Sequence, residues 1–176
     1  MKKITKKIEI AGKCIGSGCP VFIIAEAGVN HNGDIEIAKK LVDVAAVSGA
    51  DAIKFQTFSA ETLVTKNAKQ ADYQTENIGK KESQFEMLKR LELKREHYEG
   101  LKNYAEKKGI MFLSTPFSEN DVDFLDELGV SSYKVASADV TNTPLLEYMA
   151  KRGKPMFVSS GAATLDEIRR AYETII

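Results

Sequence analysis

Two lysines lie inside short apolar runs of the sequence, where a charged side chain is unusual. Lys54 belongs to the run 50–57 and Lys134 to the run 131–136. Because a lysine is rarely buried without a partner, each ammonium group needs an anion or a water-filled cavity. One interpretation is a structural ion pair, for instance with Glu26, or a side chain that points outward. Two such lysines on alternate strands, beside strand ends rich in hydroxyls, favour instead a site that binds an anionic ligand.

Glu26 is the only carboxylate at the end of an apolar strand, which we predict over residues 21–25. A general acid or base needs a pKa tuned by burial and by neighbouring charges, and this position permits both. A salt bridge to one of the lysines is the alternative interpretation, and the two are compatible. Gln56, two residues after Lys54, shares its face of the strand and can bond a substrate hydroxyl or the loop backbone.

Hydroxyl groups follow the later predicted strands, at Ser114, Thr115, Ser137, Ser159 and Ser160. Some lie beside helix N-termini, whose free N–H groups suit phosphate or carboxylate oxygens. Ordinary helix capping is the alternative, but it explains Thr115 and Ser137 less well.

The histidines and cysteines give no complete metal site, and we predict no metal ligand among these residues. His97 is predicted to lie on the surface of an amphipathic helix. His31, in the loop after the first strand, could reach the site, although a lone histidine is more often structural than a ligand. Cys14 and Cys19 have no second pair nearby, so we predict reduced thiols rather than a disulfide or half a metal site.

The elements that must position these groups are five apolar segments that alternate with helical patterns. We predict strands over 21–25, 50–57, 110–115, 131–136 and 154–158. Glycines that end helices precede four of them, at Gly49, Gly109, Gly129 and Gly153. The alternation indicates parallel βα units.

Two α/β folds compete for this pattern. A doubly wound sheet usually carries a G-x-G-x-x-G phosphate loop after its first strand, and residues 28–33 lack that spacing. A (β/α)8 TIM barrel places functional groups at the C-terminal ends of many strands, and polar residues end or directly follow all five segments. We therefore predict an incomplete barrel of about five βα units.

The regions around these units also carry local signals. Residues 7–16 alternate as a β-hairpin with its turn at Ala11-Gly12, and residues 58–81 are predicted as a partly helical excursion over the strand ends. Predicted helix caps are Asp34, Ser118, Thr143 with Pro144 after it, and the capping boxes Ser83–Glu86 and Thr164–Glu167.

The predicted domains are a hairpin extension over 1–20 and barrel units over 21–176. Barrels of this kind typically need roughly 250 residues, and five units leave two open strand edges. We expect these residues to be the N-terminal portion of a longer barrel, or to be completed by a partner.

Composition excludes several function classes. The 176 residues are 43% hydrophobic and carry 25 Lys and Arg against 25 Asp and Glu, which argues against a general nucleic-acid binder. No run approaches the 18 or so apolar residues of a membrane span. No apolar signal-peptide segment follows the first lysines, so we expect a cytoplasmic protein that contacts neither nucleic acid nor membrane.

Taken together, these residues resemble the N-acetylneuraminate synthase family, the synthases that condense phosphoenolpyruvate into sialic acid and related nonulosonic acids. The matching stretches are IAEAGVNHNGD (24–34), IKFQT (53–57), FLSTPF (112–117), YKVAS (133–137) and GKP (153–155). Tyr73-Gln74 and SQFEML (83–88) are more similar to the bacterial legionaminic-acid and spore-coat members.

The resemblance implies a (β/α)8 barrel followed by a small antifreeze-like domain that reaches the active site of a partner subunit, and hence a homodimer. It implies that C3 of phosphoenolpyruvate attacks the open-chain aldehyde of an N-acetylated hexosamine and that phosphate leaves by C–O cleavage. It also implies a divalent metal, Mn²⁺, Mg²⁺ or Co²⁺, that orients the aldehyde through two histidines outside these residues.

By motif, the resemblance assigns Lys54, Thr115 and Lys134 to the phosphoenolpyruvate carboxylate and Ser137 and Ser159 to its phosphate. It assigns Gln56 and Asp139 to sugar hydroxyls and makes Glu26 the acid/base candidate, so that Glu26, Lys54 and Lys134 form the catalytic set.

The chain departs from the family pattern at Ala138, at Asp139 and over residues 160–162, which leaves the sugar open. Two other functions remain: an aldolase that forms a Schiff base on Lys134, and a non-catalytic module that binds an anion or a partner through its open edges. We expect these 176 residues alone to hold most of the phosphoenolpyruvate site but little activity.

Overall fold

An antiparallel hairpin precedes the barrel strands in the computed structural model, which describes residues 7–68, 83–161 and 163–176. Strand β1 (Lys7–Ile10) pairs with β2 (Lys13–Gly16). Ala11 and Gly12 form the turn with φ angles of 48° and 75°. Two successive positive φ angles define a type I′ turn, whose twist matches that of the strands. The predicted hairpin is confirmed.

Five parallel strands and seven helices follow the hairpin in the described part of the chain. The strands are β3 (Ile24–Gly28), β4 (Ala52–Thr57), β5 (Met111–Pro116), β6 (Tyr133–Val135) and β7 (Met156–Val158). The helices are α1 (Ile35–Val47), α2 (Ala60–Leu63), α3 (Gln84–Leu91), α4 (Tyr98–Lys107), α5 (Glu119–Glu127), α6 (Thr143–Ala150) and α7 (Leu165–Ile175), with 3₁₀ turns at Arg95–His97 and Ser137–Asp139.

The parallel strands follow one another in chain order. Strands β3, β4 and β5 form one hydrogen-bonded sheet, β6 and β7 form another, and β6 lies beside β5. Sequential parallel strands with a helix between neighbours are the pattern of a (β/α)8 barrel. The fold is therefore an α/β segment of that barrel behind an N-terminal hairpin, as predicted.

Apolar residues cover both faces of the strands. The larger cluster lies between the sheet and the helices and includes Ile53, Phe55, Leu101, Phe112, Leu125, Tyr133 and Val135. A smaller cluster on the inner face joins Ala52, Met111 and Leu113 to Ile10 of the hairpin. Phe22 stacks on Phe157 at a ring distance of 5.8 Å and packs against the same cluster. The interior is thus apolar near the N-terminal ends of the strands.

Most predicted helix caps are confirmed. Both capping boxes form, at α3 and at α7, while the Asp34 and Ser118 side chains accept N–H bonds at the starts of α1 and α5. The prediction of Thr143 as a cap is wrong, because Thr143 is already the first helical residue of α6. Asn142 caps that helix instead, accepting from Leu145 N at 3.5 Å.

The first barrel strand begins later than its apolar run predicts. It covers Ile24–Gly28 rather than 21–25, and Val21 is 83% exposed. The Asp51 carboxylate accepts a hydrogen bond from Ile23 N at 2.8 Å. Ile23 O accepts from the backbone N–H groups of Asp51 and Ala52, where β4 begins. Strand pairing therefore starts after residue 23. The excursion over 58–81 contains helix α2, and residues 69–82, including Tyr73-Gln74, lie outside the described residues.

The prediction of two reduced cysteines is wrong in this structure. Cys14 and Cys19 form a disulfide with a Cα–Cα distance of 5.9 Å. Cys19 N donates to Gly16 O at 3.1 Å, so the chain turns back on β2 and brings the two side chains together. Spacing along the sequence does not show such a turn.

The open ends of the strand arc carry exposed apolar side chains. On the β7 side, β7 and α7 form an apolar groove with Ile8, lined by Val158, Tyr172, Ile175 and Ile176 among others. On the β3 side, Val44 and Val47 of α1 are 64% and 91% exposed. No helix in the described ranges is long and apolar enough to cross a membrane.

A half-buried ion pair joins the start of α4 to α5. Asp121 is 1% exposed and accepts from Arg95 Nη2 at 2.8 Å and from Ser118 Oγ at 2.6 Å. Burial raises the pKa of the Asp121 carboxyl, and the Ser118 hydrogen bond and the Arg95 charge oppose that rise. The Arg95 guanidinium also lies 4.7 Å from the centre of the Phe124 ring.

We predict that Arg95→Met lowers the free energy of unfolding by roughly 1–3 kcal/mol at pH 7, because it deprives a buried carboxylate of a charged partner. The raised pKa gives this loss a pH dependence. Below the ordinary value of 3.8, Asp121 is protonated in both states, and the penalty grows as pH rises through the folded-state pKa. Urea unfolding at neutral and acid pH measures the difference.

The matched control is Arg152→Met, since Arg152 makes a similar ion pair with Asp123 on the exposed surface. This variant should change stability little at either pH. Equal losses for both variants at neutral pH would contradict the role assigned to Asp121 burial.

Candidate functional site

An ion pair spans β3 and β4 on the inner face of the strands. The parallel register sets Glu26 opposite Lys54, and Glu26 Oε2 lies 2.8 Å from Lys54 Nζ. Lys54 is 8% exposed, whereas the Glu26 side chain is 57% exposed. The carboxylate therefore neutralises a buried cation while remaining open to a ligand.

A β-bulge sets the direction of the Glu26 side chain. The register shifts between Glu26 and Gly28, where Gly28 has a φ of 52°. A Cβ atom at residue 28 would lie 3.3 Å from Glu26 Oε1 and 3.9 Å from Gln56 Nε2. Bulges redirect side chains at functional sites. Here the bulge brings the Glu26 carboxylate and the Gln56 amide close to the backbone of Gly28.

Thr115 and Gln56 lie one layer further along the strands. Gln56 is opposite Thr115 in the β4–β5 register, and Lys54 Nζ donates to Thr115 Oγ1 at 3.4 Å. The Thr115 hydroxyl accepts in this bond, so its own proton is available to a ligand. These three side chains share the inner face.

Lys134 reaches the same interior from β6. It lies opposite Phe157, which packs in the inner cluster, so its side chain is on the inner face. Lys134 Nζ donates to Val135 O and to Ser159 Oγ, both at 2.5 Å. Burial and then the nearby Lys54 charge lower the pKa of Lys134, and the Glu26 charge opposes this. The two lysines and the carboxylate thus interact electrostatically.

Ser137 and Asp139 lie in the 3₁₀ turn that follows β6. Asp139 Oδ1 accepts from Asn142 Nδ2 at 3.2 Å, which orients its carboxylate, and Ser137 is exposed. The Ser137 side chain lies against Gly161 of the loop after β7. The structure therefore brings the hydroxyls of Ser137 and Ser159 to the loops at one end of β6 and β7.

Two residues near the strand ends face away from this site. Ser114 Oγ lies 2.6 Å from Thr57 Oγ1, and both are buried on the helix side, so Ser114 does not join Thr115. His31 is fully buried, with its ring 6.0 Å from that of Phe55. Its Nδ1 accepts from Gly33 N at 3.0 Å, and burial lowers its pKa. Of the two interpretations of His31, a group that reaches the site or a structural histidine, the structure supports the second.

The described residues do not fit a metal site. Within 7–68, 83–161 and 163–176, no group of three His, Cys, Asp or Glu side chains could hold an ion. Glu26 is engaged with Lys54, and His31 is held on the helix side. We therefore derive no step through a metal from these residues.

Sequence reasoning missed one residue that supports the site. Tyr98, the first residue of α4, donates its hydroxyl to Gln56 O at 2.9 Å. Burial raises the pKa of Tyr98 to about 12, so the hydroxyl stays protonated as a donor. A buried tyrosine needs a partner for its hydroxyl, and that is the signal that could have indicated this contact.

Two curated proteins are similar to this chain in sequence. The chain is 49% identical over 160 residues to the N,N'-diacetyllegionaminic acid synthase of Legionella pneumophila, covering 91% of this chain and 45% of that protein. It is 38% identical over 164 residues to human N-acetylneuraminate-9-phosphate synthase, covering 93% and 45%. The chain thus spans about half the length of these relatives.

Two solved structures share the fold and the sequence pattern. The N-acetylneuraminic acid synthetase of Leptospira borgpetersenii, in complex with citrate, superposes with a TM-score of 0.81 and 35% identity, covering 96% of this chain and 54% of that one. The Bacillus subtilis spore coat polysaccharide biosynthesis protein spsE gives a TM-score of 0.77 and 37% identity, covering 96% and 44%. The NeuB family model matches residues 41–176, and the chain therefore belongs to the NeuB family.

Proposed function

We propose that the whole protein condenses phosphoenolpyruvate with an N-acetylated hexosamine to form a nonulosonic acid and release phosphate. The observation that carries this proposal is the pair of inner-face lysines, Lys54 and Lys134, beside the half-exposed carboxylate of Glu26. Two cations against one carboxylate leave a net positive interior, which suits a small substrate that carries both a carboxylate and a phosphate. The legionaminic acid and sialic acid synthases among the relatives support the product class.

We assign the phosphoenolpyruvate carboxylate to Lys54, Thr115 and Lys134. Each ammonium group has three donors, and the contacts given above use two on each lysine. The remaining donors and the Thr115 hydroxyl can bind carboxylate oxygens. Charge-assisted hydrogen bonds of this kind are about twice as strong as neutral ones.

We assign the phosphate to Ser137 and Ser159. Ser159 Oγ accepts from Lys134 at 2.5 Å, which leaves its own proton for a phosphate oxygen. Ser137 is exposed on the neighbouring loop, so its hydroxyl can reach the same group. Lys134 would then lie between the two anionic ends of the substrate.

We assign Gln56 and Asp139 to hydroxyls of the sugar and Glu26 to proton transfer. In the reaction, C3 of phosphoenolpyruvate bonds to the aldehyde carbon, a water oxygen adds at C2, and the bond from C2 to the phosphate-ester oxygen breaks. The water gives up two protons as C2 becomes a keto group: one goes to the aldehyde oxygen and the other leaves with the phosphate. Glu26, next to Lys54 and 57% exposed, is the group that we assign to this proton exchange.

The whole protein is proposed to complete the barrel beyond these strands. The longer relatives, the apolar groove along α7 and the edges of β3 and β7, which pair with no further strand among residues 7–68, 83–161 and 163–176, support additional βα units. We propose that an antifreeze-like domain follows them and that the protein is a homodimer. The divalent metal, Mn²⁺, Mg²⁺ or Co²⁺, is proposed to bind in that additional part. We further propose a cytoplasmic location.

A second candidate function follows from Lys134 itself. Its lowered pKa, caused by burial and by the Lys54 charge, increases the fraction of neutral amine at neutral pH. A desolvated lysine beside another cation is the environment of a Schiff-base nucleophile. An aldolase that uses Lys134 is therefore the alternative.

We predict that Lys54→Met and Lys134→Met each weaken phosphoenolpyruvate binding to the 176-residue chain about ten- to a hundredfold, because each removes a charge-assisted hydrogen bond. Isothermal titration calorimetry measures the affinity. Lys102→Met is the matched control, since Lys102 pairs with Glu106 at 2.8 Å, the same separation as the Lys54 pair, but away from the inner face. A similar loss in all three variants would contradict the assignment.

We predict that the whole protein releases phosphate only when phosphoenolpyruvate and an N-acetylated hexosamine are both present, because phosphate leaves after the carbon–carbon bond forms. A phosphate assay against several such sugars measures this. The 176-residue chain alone should release little.

Borohydride reduction in the presence of a keto acid separates the two candidate enzymes. The synthase forms no covalent adduct, whereas the aldolase would be trapped on Lys134, as mass spectrometry of the modified peptide would show. The whole protein could instead bind phosphoenolpyruvate but release no phosphate with any of the sugars. That result would indicate the non-catalytic module.

A further inference from the structure

The loop after β7 passes directly over the side chain of Ser137. Gly161 in this loop has a φ of 41°. A Cβ atom built on Gly161 would lie 2.4 Å from Ser137 Cβ and 2.6 Å from Ser137 Oγ. Neither distance is possible between non-bonded atoms, so the two loops are in contact only because residue 161 has no side chain.

The strands below prevent these loops from separating freely. Ser159 N donates to Val135 O at 3.2 Å, and Lys134 Nζ donates to Ser159 Oγ at 2.5 Å. Both bonds join β6 to the residue that starts the loop after β7. A methyl group on residue 161 must therefore displace Ser137 or its own loop, since the connection two residues away is held.

Not every glycine with a positive φ angle makes such a contact. Gly153, which ends α6, has a φ of 69°, and a Cβ atom there would meet no atom within 4 Å. Alanine at either position carries the strain of a left-handed backbone conformation. Alanine at 161 adds a collision with Ser137, which alanine at 153 does not. The two positions therefore separate backbone strain from steric displacement.

We propose that Gly161 is a positioning residue that sets the Ser137 hydroxyl beside Ser159, so that both can bind the oxygens of one phosphate group. The assignment of these hydroxyls to phosphate rests on the proposed function. The steric part does not, because the contact between Gly161 and Ser137 exists without any ligand. Gly161 acts through Ser137 and touches no substrate itself.

Gly161→Ala should shift the amide NMR signals of residues 137–139 in the ligand-free chain. It should also weaken binding of phosphoenolpyruvate and of inorganic phosphate about tenfold, measured by titration of the same spectra. Gly153→Ala, the matched control, should leave the signals of 137–139 and both affinities unchanged. Equal effects of the two variants would overturn the proposal.

Two double variants test whether the effect passes through the Ser137 side chain. Ser137→Ala keeps the Cβ atom that lies 2.4 Å from the added methyl group, whereas Ser137→Gly removes it. In the alanine background, Gly161→Ala should still shift the signals of residues 138 and 139. In the glycine background it should shift them no more than Gly153→Ala does.

The two double variants also test the proposal if Gly161→Ala alone fails to fold. The double variant with Ser137→Gly should then unfold below Ser137→Gly alone by no more than Gly153→Ala lowers the unfolding midpoint of the parent chain, and the double variant with Ser137→Ala should lose more than that. Equal behaviour of the two double variants would overturn the proposal. A parent chain that binds neither phosphoenolpyruvate nor phosphate would refute the phosphate site proposed at Ser137 and Ser159, while the ligand-free spectra would still decide the role of Gly161.

Discussion

The buried ammonium group of Lys54 requires a counter-charge, and the pairing with Glu26 at 2.8 Å meets this requirement. It constrains the strands that carry both residues. β3 and β4 must be parallel neighbours in the observed register, because a slip of one residue would turn Lys54 into the apolar layer that contains Phe55 and Phe112. The ion pair therefore helps to fix the register of β3 against β4 as well as the charge of the site.

The interior changes from apolar to polar along the strands. Near their N-terminal ends the hairpin residue Ile10 packs in the inner apolar cluster, beside which Phe22 stacks on Phe157. Near their C-terminal ends Lys54 and Lys134 are held by carboxylate, hydroxyl and carbonyl oxygens. The apolar layer lowers the effective dielectric constant next to the lysines. Their charges therefore attract an anionic ligand at the C-terminal ends of the strands more strongly.

Local chemistry allowed much of the fold to be predicted from the sequence. Capping boxes such as Ser83–Glu86 and Thr164–Glu167 need only four residues, and the four predicted helix-ending glycines, all with positive φ angles, lie just after helices. Strand periodicity placed Lys54 and Gln56 on one face, and the register with Thr115 confirms it. These features depend on neighbours within one turn or one strand, so the sequence contains them directly.

By itself, the sequence thus determined the alternation of strands and helices, the polar strand ends and the two lysines inside apolar runs as candidate ligands of an anion. Only the tertiary structure decided which side chains meet. Asp51 bonds to the backbone of Ile23, and the first strand begins after that residue. Ser114 and His31 lie on the helix side of the strands, and Gly161 lies against Ser137. The physical reason is that each of these contacts joins different loops or elements of the fold, whose relative placement follows from packing of the whole sheet rather than from any local pattern.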